Sequence, residues 1–294
     1  MGIPIPLMYL FEDKNGKKQV VDGRQRISAI LDFLEGKFKL NNLRILKQFN
    51  GCCFADLDLK QQGVIEDFQL LFYIIQPPTP ERVKYDIFDR VNRGGTPLNK
   101  QEMRNALYRG RCTRMLDKLC CSPEFLIATG RSINKERMKD QYVVLRAIAF
   151  LMLHRGEFKD IPALQYRGDI DDFLARFMVY VNDNAPEKLI VDYENLFIRC
   201  MQISYDLLGE NGFRFSGNGI RRPINMPLFE ALSYLFSFVP EKIDYTWASR
   251  LILDIESVKE EFDDSRYFSG NIDSTTSVSF RFDRMDKIIN RIQL

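Results

Sequence analysis

The stretch KKQVVDGRQRISAILDFLEG (residues 17–36) decides the N-terminal fold, because its residue pattern changes at Gly23. Before this point, the apolar run at residues 7–11 and the shorter run at residues 19–21 flank the turn-forming residues 13–17, which include an Asn-Gly pair. Asn-Gly supplies the positive-φ positions of a tight turn between two strands. The sequence therefore predicts a β-hairpin that ends just before Gly23.

Residues 24–36 change to the spacing of a helix. Four apolar side chains recur at i, i+3, i+4 and i+7 of that segment: Ile27, Ile30, Leu31 and Leu34. This spacing predicts an amphipathic helix whose buried face carries those four residues. Gly36 is expected to close the helix, since glycine is common just beyond helix ends.

Downstream of this helix, residues 69–75 (QLLFYII) predict a buried strand, which ends at a Pro-Pro pair. A second helix is expected to begin at Pro80, because proline is favoured in the first helical turn. Its predicted buried face comprises Val83, Ile87, Phe88 and Val91. The Gly-rich segment 93–97 breaks this helix, and Asn99 with Glu102 predicts the capping box of a third helix.

From about residue 113 onward, the alternation typical of strands is lost and helical periodicity dominates. Helices are predicted over residues 136–154, 169–182, 187–209, 225–238, 246–262 and 278–293. We therefore predict an α+β chain of two parts. A small mixed α/β lobe covers residues 1–115, and a mostly helical lobe covers residues 116–294.

Composition narrows the classes of function. The chain has 294 residues, a formal net charge of +2 and a hydrophobic fraction of 45%, which is ordinary for a folded globular protein. It has a single histidine, His154. A His-Asn-His nuclease site, a two-histidine zinc finger and a zinc-protease helix each need at least two histidines, so these classes are excluded. His154 itself is expected to end a helix.

The six cysteines do not follow the spacing of a zinc site or of a disulfide-rich scaffold. They are expected to be reduced, partly buried thiols. The N-terminus lacks the basic and apolar segments of a signal peptide. The most apolar stretch, residues 143–153, is far shorter than the roughly 20 residues that span a bilayer. The sequence therefore predicts a cytoplasmic protein without a membrane segment.

Charge is distributed unevenly along the chain. Residues 82–114 carry nine Lys or Arg against three Asp or Glu, a net of +6, which indicates a region that binds phosphate or nucleic acid. Residues 254–264 carry six acids and one Lys. That acidic run is a solvated helix face, a mimic of nucleic acid or a partner of the basic region. Arg221 and Arg222, in a Gly-containing loop, are a weaker candidate for a nucleic-acid contact.

The first candidate site is Asp22-Gly23-Arg24-Gln25-Arg26, at the strand-to-helix junction. A helix N-terminus has unpaired N–H groups and a partial positive charge, so it attracts phosphate, and Gly23 permits the tight turn. Arg24 and Arg26 are unfavourable in a first helical turn unless an anion is bound. In the competing interpretation, both arginines are solvated charges and Asp22 caps the helix.

The second candidate site lies in residues 88–99 (FDRVNRGGTPLN), where a helix end, a glycine pair and a new helix start again expose N–H groups. Arginine forks at such a loop suit bidentate phosphate binding. The candidate binding residues are Arg90, Asn92, Arg93, Gly94 and Gly95 and, on the following helix, Arg104 and Asn105. A plain helix–loop–helix corner is the competing interpretation.

In this order and at this distance, the two motifs resemble the N-terminal domain of GmrSD-type restriction endonucleases, a group placed in the ParB/sulfiredoxin-like superfamily. The family's Asp-Gly-Gln-Gln-Arg motif is matched at residues 22–26 except at Arg24. Its Phe-x-Arg-x-Asn-x-Gly-Gly-x-x-Leu motif is matched at residues 88–98, and residues 137–141 (RMKDQ) are similar in kind. The resemblance also implies a helical segment ahead of residues 2–6, so the lobe is expected to be N-terminally truncated here.

The resemblance implies nucleotide-dependent chemistry in bacterial defence against phage. Asp22 is then a base or metal ligand, Gln25 positions water, and Arg26 stabilises charge on phosphate, as a catalytic set. Gly23, Arg24 and the second motif are expected to bind the nucleotide, which is GTP, ATP or CTP, together with Mg²⁺. DNA is an expected partner. The His-Asn-His nuclease domain of the full enzymes is expected from a partner nuclease chain, because His154 stands alone.

Three functions remain open from the sequence. The first is an NTP-dependent nuclease or NTPase module of a restriction system, favoured by the Asp-Gly-x-Gln-Arg match. The second is a switch in which bound nucleotide gates DNA or partner binding without cleavage. It is favoured by Arg24 at the third motif position and by the expected N-terminal truncation. The third is an interaction scaffold whose helical lobe docks a partner nuclease.

Overall fold

The computed structural model describes residues 4–12, 16–76, 79, 83, 87, 98–216, 221–242 and 244–292. Contacts divide the chain into two compact units, Met1–Leu98 and Asn99–Leu294. The sequence puts the division of its two predicted lobes at 115/116. By their contacts, the helices that begin at Lys100 and Arg111 belong to the second unit. The chain is α+β as predicted, with a small sheet followed by a mostly helical part.

The sheet of the first unit has three strands, β1 (Met8–Glu12), β2 (Lys18–Asp22) and β3 (Phe72–Ile75). Strand β1 is central, and it pairs antiparallel with β2 and parallel with β3. The predicted hairpin is therefore confirmed. Gly16, in its turn, has a φ of 76°, a left-handed value that glycine adopts readily.

The β1–β2 pairing shifts register where the hairpin meets the following helix. Leu10 is paired with Val20, whereas the preceding residue, Tyr9, is paired with Asp22. Strand β2 therefore has one extra residue at this end, which is a β-bulge. Bulges redirect side chains, and this one lies immediately before Gly23.

Helix α1 (Arg24–Leu34) is closed by left-handed Gly36 just beyond its C-cap residue, as predicted, but its buried face differs from the prediction. Phe33 is the buried residue of the helix, whereas Leu31 is 51% exposed. The ring of Phe33 lies 5.5 Å from that of Phe38 and 6.0 Å from that of Phe54, measured between centroids. Aromatic contacts with the following segment, rather than the predicted aliphatic stripe, anchor α1.

Strand β3 is shorter and more exposed than predicted. Residues 69–71 lie outside it, and Ile75 is its one buried residue. Tyr73 is 57% exposed. The prediction of a buried strand is therefore wrong for most of β3, which is an edge strand of the described sheet. A continuous apolar run does not distinguish an edge strand from a central one.

A short helix, α2 (Leu59–Glu66), lies between α1 and β3 and was not predicted. Its N-cap is Asp58, whose Oδ1 accepts a hydrogen bond from the Gln61 backbone N–H at 2.8 Å. Leu59 and Val64 are both largely exposed, so this helix has no apolar stripe for a sequence pattern to detect. The helix predicted to begin at Pro80 falls outside the described residues, apart from two isolated positions.

The helices of the second unit confirm the later sequence predictions. Their bounds are α3 (Lys100–Leu107), α4 (Arg111–Cys120), α5 (Pro123–Ala128), α6 (Lys139–His154), α7 (Ile170–Asp183), α8 (Glu187–Leu208), α9 (Met226–Phe236), α10 (Tyr245–Asp263) and α11 (Thr275–Ile292). The last six match the six predicted helices to within about three residues at each end. Asn99 caps α3 as predicted, because its Oδ1 accepts from the N–H groups of Gln101 and Glu102 at 2.8 and 2.9 Å.

The core of the second unit is centred on α6 and α9. Helix α9 buries every residue after Met226, and α6 buries a continuous run over residues 143–152. Helices that are apolar on all sides belong to the interior of a fold. Within the described residues, none of the helices is both long and apolar enough to cross a membrane.

Candidate phosphate-binding turn

Gly23 gives the junction between β2 and α1 its shape. It is the N-cap residue of α1 with φ 93° and ψ 6°, in the left-handed region. A Cβ at this position would lie 2.5 Å from Met8 Cγ and 2.7 Å from Met8 Sδ. Met8 is fully buried beneath it. A larger residue would strain the backbone and displace the core, so both backbone conformation and packing require Gly23.

Asp22 and Arg26 form an ion pair across this junction. Arg26 Nη2 donates to Asp22 Oδ2, and Arg26 Nη1 donates to the backbone carbonyl of Pro6 at 2.6 Å. Arg26 is 32% exposed and Asp22 is 25% exposed at their side chains. The Arg26 guanidinium is therefore held from two sides and still reaches solvent.

Asp22 does not cap α1. The helix has no side-chain cap and no acidic residue in its first turn, because Gly23 rather than Asp22 is the N-cap residue. The interpretation in which Asp22 serves as the helix cap is therefore wrong. Without a capping side chain, the first-turn N–H groups retain the partial positive charge of a helix N-terminus.

Arg24 and Gln25 complete the first turn of α1, and both are exposed. Together with Arg26 they place two cations and an amide at the positive end of the helix. Cations are disfavoured at a helix N-terminus, and a bound anion removes that penalty. The local arrangement is therefore one that a phosphate would stabilise.

A metal site at this turn has less support. Among the described residues, no group of three or more His, Cys, Asp and Glu side chains is placed to hold a metal ion. Mg²⁺ in nucleotide sites is commonly bound through one or two carboxylates, with phosphates and water completing the shell. Asp22 is the one carboxylate within residues 22–26, and it is paired with Arg26. The turn fits a phosphate better than a metal held by protein ligands.

The second predicted motif can be placed only in part. Five of its residues lie outside the described residues: Arg90, Asn92, Arg93, Gly94 and Gly95. Arg104 and Asn105 lie on α3 in the second unit, where their contacts are clear.

Arg104 is fully buried and paired within the second unit. Its Nη1 donates to Asp171 Oδ1 at 2.8 Å and its Nε donates to Gln101 Oε1 at 3.0 Å. Its guanidinium also lies 5.2 Å from the centre of the Tyr142 ring. Asp171 accepts a second hydrogen bond, from Lys100. Burial raises the pKa of Asp171, but the hydrogen bonds from Lys100 and Arg104 outweigh burial and hold that pKa below its ordinary value.

Asn105 is likewise engaged with its own unit. Its Nδ2 donates to the side-chain oxygen of Gln141 and lies 3.1 Å from Met138 Sδ, and its Oδ1 accepts from Gln101 Nε2 at 2.9 Å. These contacts join α3 to the start of α6. Nucleotide binding by Arg104 and Asn105 stays a prediction.

Residues 137–141 contain a feature that the sequence did not predict. Arg137 and Met138 are consecutive non-glycine residues with left-handed φ values of 56° and 58°. Asn99 Nδ2 donates to the Arg137 carbonyl at 2.7 Å, and the Arg137 guanidinium lies 2.9 Å from Glu102 Oε2. Left-handed non-glycine residues are costly and persist only where their surroundings hold them. The RMKDQ motif was the available signal, but a motif without a glycine does not indicate a left-handed turn.

Acidic side chains from other helices neutralise much of the described basic region. Lys100 and Arg104 share Asp171, and Arg111 lies 2.7 Å from Glu187. The positive charges of Lys100, Arg104 and Arg111 are therefore neutralised by ion pairs with acidic residues of α7 and of the start of α8.

The acidic run at residues 254–264 meets different arginines. Asp254 lies 3.1 Å from Arg291, and the other pairs are Glu261 with Arg284 and Asp263 with Arg222. Arg221, next to Arg222, lies 2.7 Å from Glu210. Both arginines of the weaker nucleic-acid candidate are thus ion-paired within the second unit. Glu256 lies 2.9 Å from Lys259, so four of the six acids in the run have described partners outside the basic region.

His154 ends α6 as predicted and stacks on Phe282, with ring centroids 3.6 Å apart. Its Nε2 is buried and has no hydrogen-bond partner among the described residues. Burial, together with the charge of Arg281, lowers the pKa of His154 to about 3. The imidazole is therefore neutral at neutral pH and its Nε2 is buried, which makes it unsuitable for acid–base catalysis there.

The six cysteines are free thiols, as predicted. Burial raises the pKa of the Cys112 thiol and raises that of Cys200 to about 12. Thiolate is the reactive form of cysteine, so these buried thiols are inert at neutral pH.

Comparison with known families matches residues 1–109 to the N-terminal domain of GmrSD restriction endonuclease. No curated protein and no solved structure matches the chain. The matched segment contains the whole described sheet, α1 with its N-terminal turn, and both sequence motifs. Residues 1–109 of this chain are therefore similar to the N-terminal domain of GmrSD restriction endonuclease.

Proposed function

We propose that this chain is a component of a bacterial restriction system and that residues 22–26, here called the 22–26 turn, bind the phosphates of a nucleoside triphosphate and promote its hydrolysis. GTP, ATP and CTP are the candidate nucleotides. The observation that carries the proposal is the uncapped N-terminus of α1, where left-handed Gly23 gathers Arg24, Gln25 and Arg26. The family match over residues 1–109 supports the assignment to restriction.

Each polar group of the 22–26 turn has a proposed task. The first-turn N–H groups and exposed Arg24 bind phosphate oxygens. Arg26 stabilises the charge that develops on the transferred phosphoryl group, and exposed Gln25 orients the attacking water. Mg²⁺, when bound with the triphosphate, neutralises charge on the phosphate oxygens. Arg90, Asn92, Arg93, Gly94 and Gly95 remain proposed nucleotide-binding residues on the strength of their motif.

DNA is the proposed target of the system, and its cleavage is assigned to a partner nuclease chain. His154 is the one histidine of the sequence, and it is neutral and stacked on Phe282 in the second unit. A histidine-dependent nuclease centre therefore has to come from elsewhere. This role places the protein in the cytoplasm, where restriction systems meet incoming DNA.

A nucleotide panel tests the proposal. Binding of GTP, ATP and CTP is measured by titration calorimetry with and without Mg²⁺, and hydrolysis is followed by phosphate release. The variants are Arg24→Ala, Arg26→Ala and the control Arg44→Ala, an exposed arginine of the same unit outside the turn. Losing one charge-assisted contact is expected to weaken binding about tenfold in each turn variant, with no change in the control.

Two outcomes contradict the proposal. One is the absence of any nucleotide affinity in the wild-type chain. The other is equal affinity in all four proteins, which would show that the bound nucleotide does not contact the 22–26 turn.

A second candidate function is a nucleotide-gated switch that binds DNA or a partner without cleaving it. The exposed side chain of Arg24 favours it, because Arg24 replaces an amide of the family motif with a cation. A cation strengthens phosphate binding but, unlike an amide, does not accept a hydrogen bond from water. Tight nucleotide binding, with both nucleotide and DNA recovered intact, would support the switch. Hydrolysis that rises in Arg24→Gln would support a hydrolase weakened by this residue.

A further inference from the structure

We propose that Asp22 is a positioning residue that orients Arg26 toward the nucleotide, rather than a general base or a metal ligand. This role presupposes the nucleotide site proposed above. It is carried by the contacts of Asp22, by the bulge that directs its side chain, and by the second contact that holds Arg26.

The bulge at the end of β2 directs the Asp22 side chain. Tyr9 is paired with Asp22 and Leu10 with Val20, so one extra residue of β2 breaks the regular alternation of side chains. Left-handed Gly23 follows at once and takes the N-cap position. The Asp22 carboxylate consequently meets Arg26 on the first turn of α1 instead of the helix N–H groups.

Arg26 is held at two points of its guanidinium. Nη2 donates to Asp22 and Nη1 donates to the Pro6 carbonyl at 2.6 Å. A guanidinium has five N–H donors in one rigid plane, so fixing two of them also sets the direction of the other three. Arg24, in the same turn, is exposed instead. Arg26 is therefore the pre-organised cation of the turn.

The same contacts disfavour the other roles for Asp22. Its Oδ2 already accepts a hydrogen bond from Arg26, so the carboxylate faces a cation rather than a water to be activated. A metal ion bound to Asp22 would lie beside that guanidinium and be repelled by it.

A double-mutant cycle isolates this role. The proteins are wild type, Asp22→Ala, Asp22→Asn, Arg26→Ala and both double variants with Arg26→Ala. For each, affinity and turnover are measured with the Mg²⁺ complex of whichever of GTP, ATP and CTP binds the wild type most tightly. Removing Asp22 also removes a negative charge near the triphosphate, but that effect is present with and without Arg26 and cancels in the cycle.

The loss of turnover caused by Arg26→Ala is the quantity that tests the role of Asp22. It is expected to be about tenfold in turnover when Asp22 is present and about threefold in the Asp22→Ala background, because the Pro6 carbonyl still holds one side of the guanidinium. Asp22→Asn keeps an oxygen acceptor for Arg26. In the Asp22→Asn background, the loss of turnover caused by Arg26→Ala is therefore expected to return most of the way to its wild-type value. The Mg²⁺ concentration that gives half-maximal turnover is expected to stay unchanged in Asp22→Asn.

Other outcomes overturn the proposal. If Asp22→Asn is as damaging as Asp22→Ala and equally damaging without Arg26, Asp22 acts directly as a base. If Asp22→Asn also shifts the Mg²⁺ requirement, Asp22 is a metal ligand.

If the wild type binds none of the three nucleotides, the proposed function fails and this role fails with it. If the wild type binds nucleotide but the effects of the Asp22 and Arg26 substitutions are independent, only the positioning role of Asp22 is contradicted, and the proposed function stands. Thermal unfolding of each variant identifies any that do not fold. If Asp22→Ala does not fold, the conservative variant Asp22→Asn takes its place in the cycle.

Discussion

The arginines of the 22–26 turn and three buried arginines of the second unit are held in opposite ways. In the 22–26 turn, Arg24 is exposed and the Arg26 side chain is 32% exposed. In the second unit, Arg104, Arg146 and Arg281 are each at most 1% exposed. A buried charge is tolerated only when it is paired and hydrogen-bonded, whereas an exposed one is solvated and available to a ligand. Arginines that look alike in the sequence therefore have different roles: the exposed ones are available to a ligand, and the buried ones pair with carboxylates in the core.

The buried arginines of the second unit converge on shared carboxylates. Arg146 Nε and Arg281 Nη2 both donate to Glu230, which is itself fully buried. Arg146 Nη2 also donates to Asp273 Oδ1 at 2.6 Å. Helices α6, α9 and α11 are thereby cross-linked inside the core, and the arginines hold the helices together instead of serving as a binding surface.

The largest expected effect comes from breaking this buried cluster. Glu230→Ala leaves two buried guanidinium groups without their common acceptor, so the free energy of unfolding is expected to fall by about 3–5 kcal/mol. Urea unfolding followed by far-ultraviolet circular dichroism measures the change. Glu260→Ala, which removes an exposed glutamate of α10, is the control and is expected to have little effect. A loss below about 1 kcal/mol in Glu230→Ala would mean that the arginines find other partners.

A smaller loss is expected at the carboxylate that holds Arg104. Asp171→Asn removes the charge shared by Arg104 and Lys100, and is expected to cost about 2–3 kcal/mol at neutral pH. Because the folded-state pKa of Asp171 lies below its ordinary value of 3.8, its contribution is present above that value. The contribution is lost as the pH falls through the lower folded-state pKa. The stability gap between wild type and Asp171→Asn should therefore narrow in acid unfolding, while the exposed control Asp192→Asn shows no gap.

His154 provides a pH test of the same core. Its folded-state pKa of about 3 lies below the ordinary 6.5, so the unfolded chain binds the extra proton as the pH falls below 6.5. Stability is expected to decrease by about 1–2 kcal/mol between pH 7 and pH 5. His154→Phe, which preserves stacking on Phe282, should flatten this dependence. An unchanged slope in the variant would assign the effect to other groups.

The smallest effect on stability is expected in the 22–26 turn. Arg24 is exposed, so Arg24→Ala is expected to change the free energy of unfolding by less than about 0.5 kcal/mol. Thermal melts without nucleotide measure this. Weakened nucleotide binding together with unchanged stability would sharpen the contrast with Arg104, whereas a destabilised Arg24→Ala would give both arginines a structural role.

Local patterns predicted the secondary structure well where one segment carries its own signal. The six later helices have apolar stripes of helical period, and the Asn99–Glu102 capping box depends on residues three apart. The predictions for α1 and β3 failed at the level of burial. The apolar stripe of α1 leaves Leu31 half exposed, and the apolar run of β3 lies at a sheet edge. Burial depends on which element packs alongside, and a local pattern does not contain that information.

By itself, the sequence determined the strand–turn–helix junction at Gly23, the extent of the six helices after residue 136, and the similarity of residues 1–109 to a known family. These depend on neighbouring residues or on short motifs. Only the tertiary structure decided that the Pro6 carbonyl also holds Arg26, and that Arg104 is buried against Asp171 while Arg24 is exposed. The reason is distance along the chain. Arg26 is held by a carbonyl 20 residues away, and Arg104 by a carboxylate 67 residues away, so folding had to bring the partners together.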